Sequence, residues 1–210
     1  DQDQDQDQDH MLYSEEEVVG KGVGCLARVE ICAGSLLARE LPALLIPPEG
    51  ELVPGTGLDR TVRAFLQMDR VKQVEFMKLS NMFHGDRADW SDTARNDMEA
   101  VEAEMEAATV PTTVAGEDVV KLWQIKLTNS FHNGVCLRIS RFNHSCRANA
   151  EYFWNVGLGT RDVRAVRTIV RGEEVSLNYT QLWSLTREER RRSLWQNFNF
   201  HCLCEACEGS

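Results

Sequence analysis

Three cysteines stand within the last nine residues, at Cys202, Cys204 and Cys207. A Cys-x-Cys-x-x-Cys knuckle offers three thiolates to one side of a metal, whereas a structural zinc takes four ligands at tetrahedral corners. The fourth must come from elsewhere in the chain, so the tail must fold back to meet it. The best donor is Cys146, in the run Asn143-His144-Ser145-Cys146, far away in sequence. That pairing lays the tail over the segment around Asn143 and predicts the working site where they meet.

Composition narrows what surrounds such a clasp. The first ten residues alternate Asp and Gln and end in His10, with no apolar side chain to bury, so residues 1–10 read as a disordered leader or an added tag ahead of Met11. Removing their five aspartates takes the formal charge from −10 to −5. The remaining chain suits one domain carrying an insertion, with enough material for a core. No apolar stretch approaches the roughly 20 residues that cross a bilayer, and no signal peptide is visible. Seven cysteines, an odd number, fit a reduced intracellular protein with a metal site better than a secreted disulfide framework. The expected location is nuclear and/or cytoplasmic, and the expected state a monomer. The acidic balance argues against direct nucleic-acid binding and is compatible with a basic protein partner.

The residue pattern changes character twice. Residues 11–55 read as short strands and turns: Val18-Val19 lead into the turn Gly20-Lys21-Gly22-Val23-Gly24, and Cys25 to Ile31 and Leu36 to Glu40 follow as strands. Prolines and glycines between Pro47 and Gly57 form a breaker-rich linker. Residues 56–133 turn helical, with Val62, Phe65, Leu66, Met68, Val71, Val74 and Met77 near helical spacing. Ser91-Asp92 can cap a second helix through Met98, Val101 and Met105, and a third runs from Asp118 to Leu127. Strands return over 134–184: Leu137 to Ile139, Asn149 to Trp154, Val163 to Val170, and Val175 to Tyr179 after the turn Arg171-Gly172-Glu173-Glu174. Over 185–210, Thr186 and Glu189 form a capping box for a last helix to about Asn197, which delivers the chain to the knuckle. The expected class is mainly β with an α insertion.

Taken singly, the chemistry-bearing residues have plain readings. Gly20-Lys21-Gly22 permits positive φ and close approach to a ligand, yet taken alone a plain hairpin turn explains it more readily, and neither a dinucleotide fingerprint nor a P-loop is present. Asn143-His144 reads as a polar turn with an interior histidine, and Tyr179 as a packed core tyrosine. Cys25, Cys32 and Cys136 lie in apolar strand contexts and read as core residues. Glu99, Glu102, Glu104 and Glu106 read as a solvated helix face, or as an attraction for a basic tail such as a histone's. Arg187, Arg190, Arg191 and Arg192 likewise read as a solvated face.

Their order carries more. Gly-x-Gly, a helical insert, Asn-His-Ser-Cys, Gly-Glu-Glu-Val-x-x-x-Tyr and Phe-x-Cys-x-Cys-x-x-Cys, together spanning most of residues 15–207, resemble the SET-domain protein lysine methyltransferases. The likeness is strongest to the subfamily whose SET domain is split by a MYND zinc finger. It implies a SET fold of several small curved sheets with a pseudoknot-like C-terminal crossing, a helical insert and a zinc-binding post-SET tail. It also implies S-adenosylmethionine as methyl donor, approached by Gly20, Lys21 and Gly22, by Asn143 and His144 largely through main-chain atoms, by Asn129, and by Phe200 stacked on the adenine. Tyr179 becomes the catalytic tyrosine, in reach of donor and substrate, and Phe198 lines the lysine channel with it. Cys146, Cys202, Cys204 and Cys207 become the ligands of one structural zinc. The sequence departs from the pattern at Ala148, where many relatives have proline, and has no MYND cysteine cluster, only the Pro/Gly linker over 47–58.

The implied reaction transfers a methyl group from a sulfonium to a lysine amine of a protein, histone or non-histone. It requires alignment and a neutral lysine. A zinc with four protein ligands has no open position for a water, so the metal is expected to hold Phe198 and Phe200 beside the cofactor and do no chemistry. The alternative is a SET-fold interaction module that keeps zinc and fold without turnover.

Overall fold

The computed structural model describes residues 12–45, 57–83, 85–106, 115–131, 134–180 and 184–208. The leader and most of the 47–58 linker lie outside these. Chain contacts divide the protein into two units, one formed by residues up to 41, 138–192 and 202 onward, the other by 42–137 and 193–201.

The first unit is built on two small sheets. Strands β1 (Tyr13–Val18) and β2 (Gly22–Ala27) form an antiparallel hairpin from Tyr13↔Ala27 to Val18↔Gly22. Gly20 and Gly22 adopt φ of 74° and 71°, which an L side chain resists, and Lys21 N–H donates to the Val18 carbonyl at 2.9 Å. Strands β3 (Leu36–Glu40), β8 (Ala150–Asn155) and β9 (Thr160–Ala165) make the second sheet, in the order β3-β9-β8. Strand β10 (Glu174–Leu177) returns to the first sheet between β2 and β7 (Asn143–His144), antiparallel to β2 and parallel to β7. The sheet order is therefore β1-β2-β10-β7, and it joins segments some 150 residues apart.

Two strand expectations change. The Cys25–Ile31 strand stops at Ala27, leaving Ile31 a single bridge to Ile169. The turn beyond Ile31 leaves Cys32 exposed, whereas Cys25 and Cys136 are buried as expected. Leu137–Ile139 is not a strand. The Glu40 carboxylate accepts the Arg138 and Ile139 N–H groups at 3.1 and 3.2 Å, taking the place of a partner strand, and Ile139–Arg141 coils into a 3₁₀ turn.

The second unit is mostly helical: α1 (Gly57–Gln67), α2 (Arg70–Phe76), α3 (Asp92–Glu106) and α4 (Gly116–Asn129), with a sheet of β4 (Leu44–Leu45), β6 (Gly134–Val135) and β5 (Ser130–Phe131). Asp69 caps α2 by accepting Lys72 N–H at 2.9 Å and, as the sequence predicts, the Ser91 hydroxyl caps α3 through Ala94 N–H at 3.2 Å. Ala94, Met98 and Val101 of α3 share one buried cluster with Leu58, Val62 and Val119; Leu122 and Ile125 of α4 pack in a second with Phe65 and Phe76. Leu66, Val71 and Val74 fall on the outward face of this pattern and are exposed.

Helix α5 (Arg187–Phe198) begins in the first unit and ends in the second. Its capping box forms as expected: Glu189 accepts Thr186 N–H at 2.8 Å and returns its own N–H to the Thr186 hydroxyl at 3.3 Å. A last turn, α6 (Glu205–Glu208), carries Cys207.

Candidate functional site

In the first unit, the knuckle and Cys146 meet. The ligand sulfurs of Cys146, Cys202, Cys204 and Cys207 all lie within 4.8 Å of one another, with Cys146 3.5 Å from Cys207 and 4.0 Å from Cys202. Four thiolates about 2.3 Å from a tetrahedral ion sit about 3.8 Å apart, so the cluster has the dimensions of a four-thiolate metal site. None of the seven cysteines forms a disulfide. Burial pushes the Cys146 and Cys202 thiols up; at Cys204 burial acts the same way, but hydrogen bonds from Cys146 and Cys202 outweigh it and bring the thiol down.

His144 links this cluster to Tyr179. Its Nδ1 accepts the Tyr179 backbone N–H at 3.2 Å, while Nε2 lies 3.4 Å from the Cys146 sulfur. A ring accepting at Nδ1 carries its proton on Nε2, which then donates to sulfur. Burial first, then the charges of Lys21 and Arg190, push its pKa down to about 4, so the ring is neutral at physiological pH. The side chain is thus an internal strut, which leaves the main chain of this segment as the part able to meet a ligand.

Tyr179 stands two residues beyond the end of β10. Its hydroxyl donates to the Phe142 carbonyl at 2.8 Å, and its ring centroid lies 5.3 Å from that of His144. Burial first, then the Glu174 charge, raise its pKa further above the ordinary phenol value, so it stays a neutral phenol. With its proton committed to Phe142, the oxygen presents lone pairs only.

The glycine turn and Asn143 converge on a residue that the sequence reading treated only as part of a turn. Glu174 accepts the Lys21 ammonium at one carboxylate oxygen, at 2.5 Å, and the Asn143 side-chain amide at the other, at 2.9 Å. This approach depends on Gly24. A Cβ there would lie 2.5 Å from the Asn143 amide nitrogen and 3.0 Å from a Glu174 oxygen. A glycine inside a strand is the sequence signal for such a close approach. Asn149 was also passed over as a site residue. It is fully buried, donates to the Glu173 carboxylate at 2.9 Å and the Glu174 carbonyl at 2.8 Å, and accepts Ser176 N–H at 2.8 Å, which fixes the start of β10.

Arg190 departs from the reading of its arginine run as a solvated face. Its guanidinium donates to the Leu185 carbonyl at 2.8 Å and the Ala206 carbonyl at 3.2 Å.

The other predicted residues belong to the second unit. Asn129 is buried at the end of α4 and donates to the Ser80 and Ile125 carbonyls at 2.7 and 2.8 Å. Phe198 and Phe200 are half-buried with ring centroids 6.4 Å apart. Between them Asn199 adopts φ 54°, accepts Ser91 N–H at 2.8 Å and donates to the Met82 carbonyl at 3.0 Å. An Asn just past a helix end is a common left-handed cap, a signal open to sequence reading but not used.

The SET domain family model matches residues 22–180, which include the hairpin strand β2, Asn143, His144, Cys146 and Tyr179. The chain belongs to the SET-domain family. This SET protein is 39% identical over 74 residues to the histone-lysine N-methyltransferase set5 of Schizosaccharomyces pombe, an alignment covering 35% of the chain and 23% of set5. It is 38% identical over 76 residues to the human histone-lysine N-methyltransferase SMYD3, covering 36% of the chain and 17% of SMYD3. A longer alignment, 25% identical, spans 94% of the chain and 78% of the putative SET domain-containing protein L678 of Acanthamoeba polyphaga mimivirus. Among solved structures, Rubisco LSMT bound to AdoMet superposes with a TM-score of 0.60 at 15% identity, over 93% of this chain and 53% of that one. The likeness establishes the SET fold. Among the described residues, no helix is long and apolar enough to cross a membrane.

Proposed function

We propose that this SET protein is a protein-lysine N-methyltransferase that takes its methyl group from S-adenosylmethionine. The observation that carries the reading is the arrangement of Tyr179: a neutral phenol whose proton is held by the Phe142 carbonyl, beside a neutral His144 in the same unit as the Gly20-Lys21-Gly22 turn and Asn143. When bound, the cofactor supplies an electrophilic methyl group on a sulfonium. By the family resemblance, the glycine turn, the main chain at Asn143 and His144, Asn129 and Phe200 take the cofactor-binding roles, and Tyr179 and Phe198 the lysine-facing ones. The names of the yeast and human relatives support a protein substrate presenting a lysine, a histone among the candidates.

The chemical demand on these residues is modest. A lysine with an ordinary pKa near 10.4 costs roughly 4–5 kcal/mol to deprotonate at pH 7, and a narrow apolar channel lowers that cost by disfavouring the ammonium form. The Tyr179 lone pairs then orient the neutral amine, and water takes the proton. Cys146, Cys202, Cys204 and Cys207 hold one zinc that has no open position and closes the tail. Residues 11–55 and 134–184 form the SET core, 56–133 its helical insert and 185–210 the post-SET closure.

Radiolabelled methyl transfer to histones and to cell-extract proteins tests the reading. Wild type labels a protein band, and Tyr179→Phe reduces labelling at least about 100-fold, as expected for a lost transition-state contact, while cofactor binding by calorimetry persists. Cofactor binding without transfer by wild type on any substrate would replace this reading with the interaction module.

A further inference from the structure

Strand β10 runs between β2 and β7, so a side chain on it can reach toward both neighbours. Glu174 opens this strand, paired with Leu26 of β2. Asn143 of β7 stands opposite Ser176, two residues further along β10 and on the same face. The Glu174 carboxylate serves the two sides separately. One oxygen accepts the Lys21 ammonium at 2.5 Å, the other the Asn143 side-chain amide at 2.9 Å. As a device for stability alone this would be a poor one, because the lysine side chain is 35% exposed and a partly exposed ion pair adds little to folding. Yet the strand makes room for it. Gly24 sits in β2 with no left-handed φ to require a glycine. A Cβ there would meet the Asn143 amide nitrogen at 2.5 Å and a Glu174 oxygen at 3.0 Å, so the missing side chain clears the point where amide and carboxylate meet.

Resting on the reading of this protein as a methyltransferase, we propose that Glu174 is a positioning residue for the methyl-donor site, holding the Gly20-Lys21-Gly22 turn and the Asn143 segment at a fixed spacing. Glycine loses more conformational freedom on ordering than any other residue, and this turn has one on each side of Lys21. The Lys21 side chain is the turn's handle on the sheet, and Glu174 is what it grips. Ordering the turn before the cofactor arrives removes that entropy loss from binding.

The test compares wild type with three variants. Glu174→Gln keeps an oxygen for the Asn143 amide and drops the charge that holds Lys21. Glu174→Asp keeps the charge and shortens the reach, and Glu151→Gln, exposed on β8, is the control. Amide hydrogen exchange of the cofactor-free proteins is followed by mass spectrometry, and affinity for S-adenosylmethionine by calorimetry. For Glu174→Gln the expected result is exchange about 10-fold faster over residues 18–24, wild-type exchange over 36–40 in the other sheet, and affinity about 10-fold lower. Glu174→Asp falls between, and the control matches wild type. Wild-type exchange over 18–24 in Glu174→Gln overturns the tether, whatever the affinity does. Faster exchange with unchanged affinity overturns its link to the donor site. Faster exchange everywhere, 36–40 included, marks general destabilisation and overturns the proposal as well. A wild type that binds no S-adenosylmethionine overturns the methyltransferase reading and this proposal with it, whereas a wild type that binds it and variants that match overturn the proposal alone. If Glu174→Gln fails to fold, Glu174→Asp decides by the same two measurements, wild-type values overturning the proposal.

Discussion

Replacing Gly24 by alanine tests how the glycine turn and Asn143 are brought together. The backbone at Gly24 lies in ordinary strand geometry, so the cost arises from space alone. The new Cβ would stand 2.5 Å from the Asn143 amide nitrogen, 2.8 Å from a Val18 methyl and 3.0 Å from a Glu174 oxygen. Relaxed contacts between such atoms lie near 3.5 Å, so the Asn143 amide must retreat by about 1 Å. That stretches its 2.9 Å bond to Glu174 beyond hydrogen-bonding range. A lost bond to a charged acceptor costs about 1.5–3 kcal/mol, and overpacking about 1–3 kcal/mol. The stiffer unfolded chain returns about 0.4–1 kcal/mol. The net destabilisation is roughly 2–5 kcal/mol, equivalent to about 4–20 °C in Tm for a domain of this size. Urea unfolding reads the change as a shift in midpoint. Repeating Gly24→Ala in an Asn143→Ala background supplies the sharper measurement, because the atom met at 2.5 Å is then gone and the two changes must be non-additive. An equal cost of Gly24→Ala in both backgrounds would refute the crowding argument.

Three further outcomes are expected. Asn149→Ala removes the side-chain acceptor of Ser176 N–H along with two donated bonds, and should cost about 2–3 kcal/mol in urea unfolding; a cost under 0.5 kcal/mol would show that water replaces the amide. Asp162 is buried, which alone would raise its pKa, but hydrogen bonds from Arg39, Thr160 and Asn155 outweigh burial and hold it low. Its contribution is therefore complete above the ordinary value near 4 and is lost as pH falls through the depressed one, so wild type should lose more stability than Asp162→Asn between pH 6 and pH 3. Cys204→Ser should lower both zinc content and affinity for S-adenosylmethionine, and unchanged affinity in zinc-free protein would separate the metal from the cofactor pocket.

What the sequence revealed depends on how local each determinant is. The capping box of Thr186 and Glu189 and the cap at Ser91 were legible because a helix start is decided within four residues. The cysteine cluster was legible for another reason: a knuckle with three thiolates announces that it lacks one. Leu137–Ile139 misled because alternation signals a strand only when a strand partner exists, and here a carboxylate from Glu40, about 100 residues earlier, takes that role. Glu174 escaped notice because its two partners, Lys21 and Asn143, lie 153 and 31 residues away. Arg190 was hidden in a run of like residues, and only the fold of the tail distinguishes it from Arg191 and Arg192.

The strand order β1-β2-β10-β7 also sets a timetable for synthesis. The hairpin of residues 13–27 leaves the ribosome early, yet the strand that covers its free edge, Glu174–Leu177, is made some 150 residues later. At about 5–20 residues per second, that edge waits on the order of ten seconds or more, in a state open to pairing with other chains. The run Glu15-Glu16-Glu17 on the partner strand places repelling charge on the waiting hairpin. The acidic run, which in the finished fold also supplies the Glu15–Arg141 ion pair at 3.8 Å, thus protects the precursor of the sheet, and neutralising Glu16 and Glu17 should lower the soluble yield.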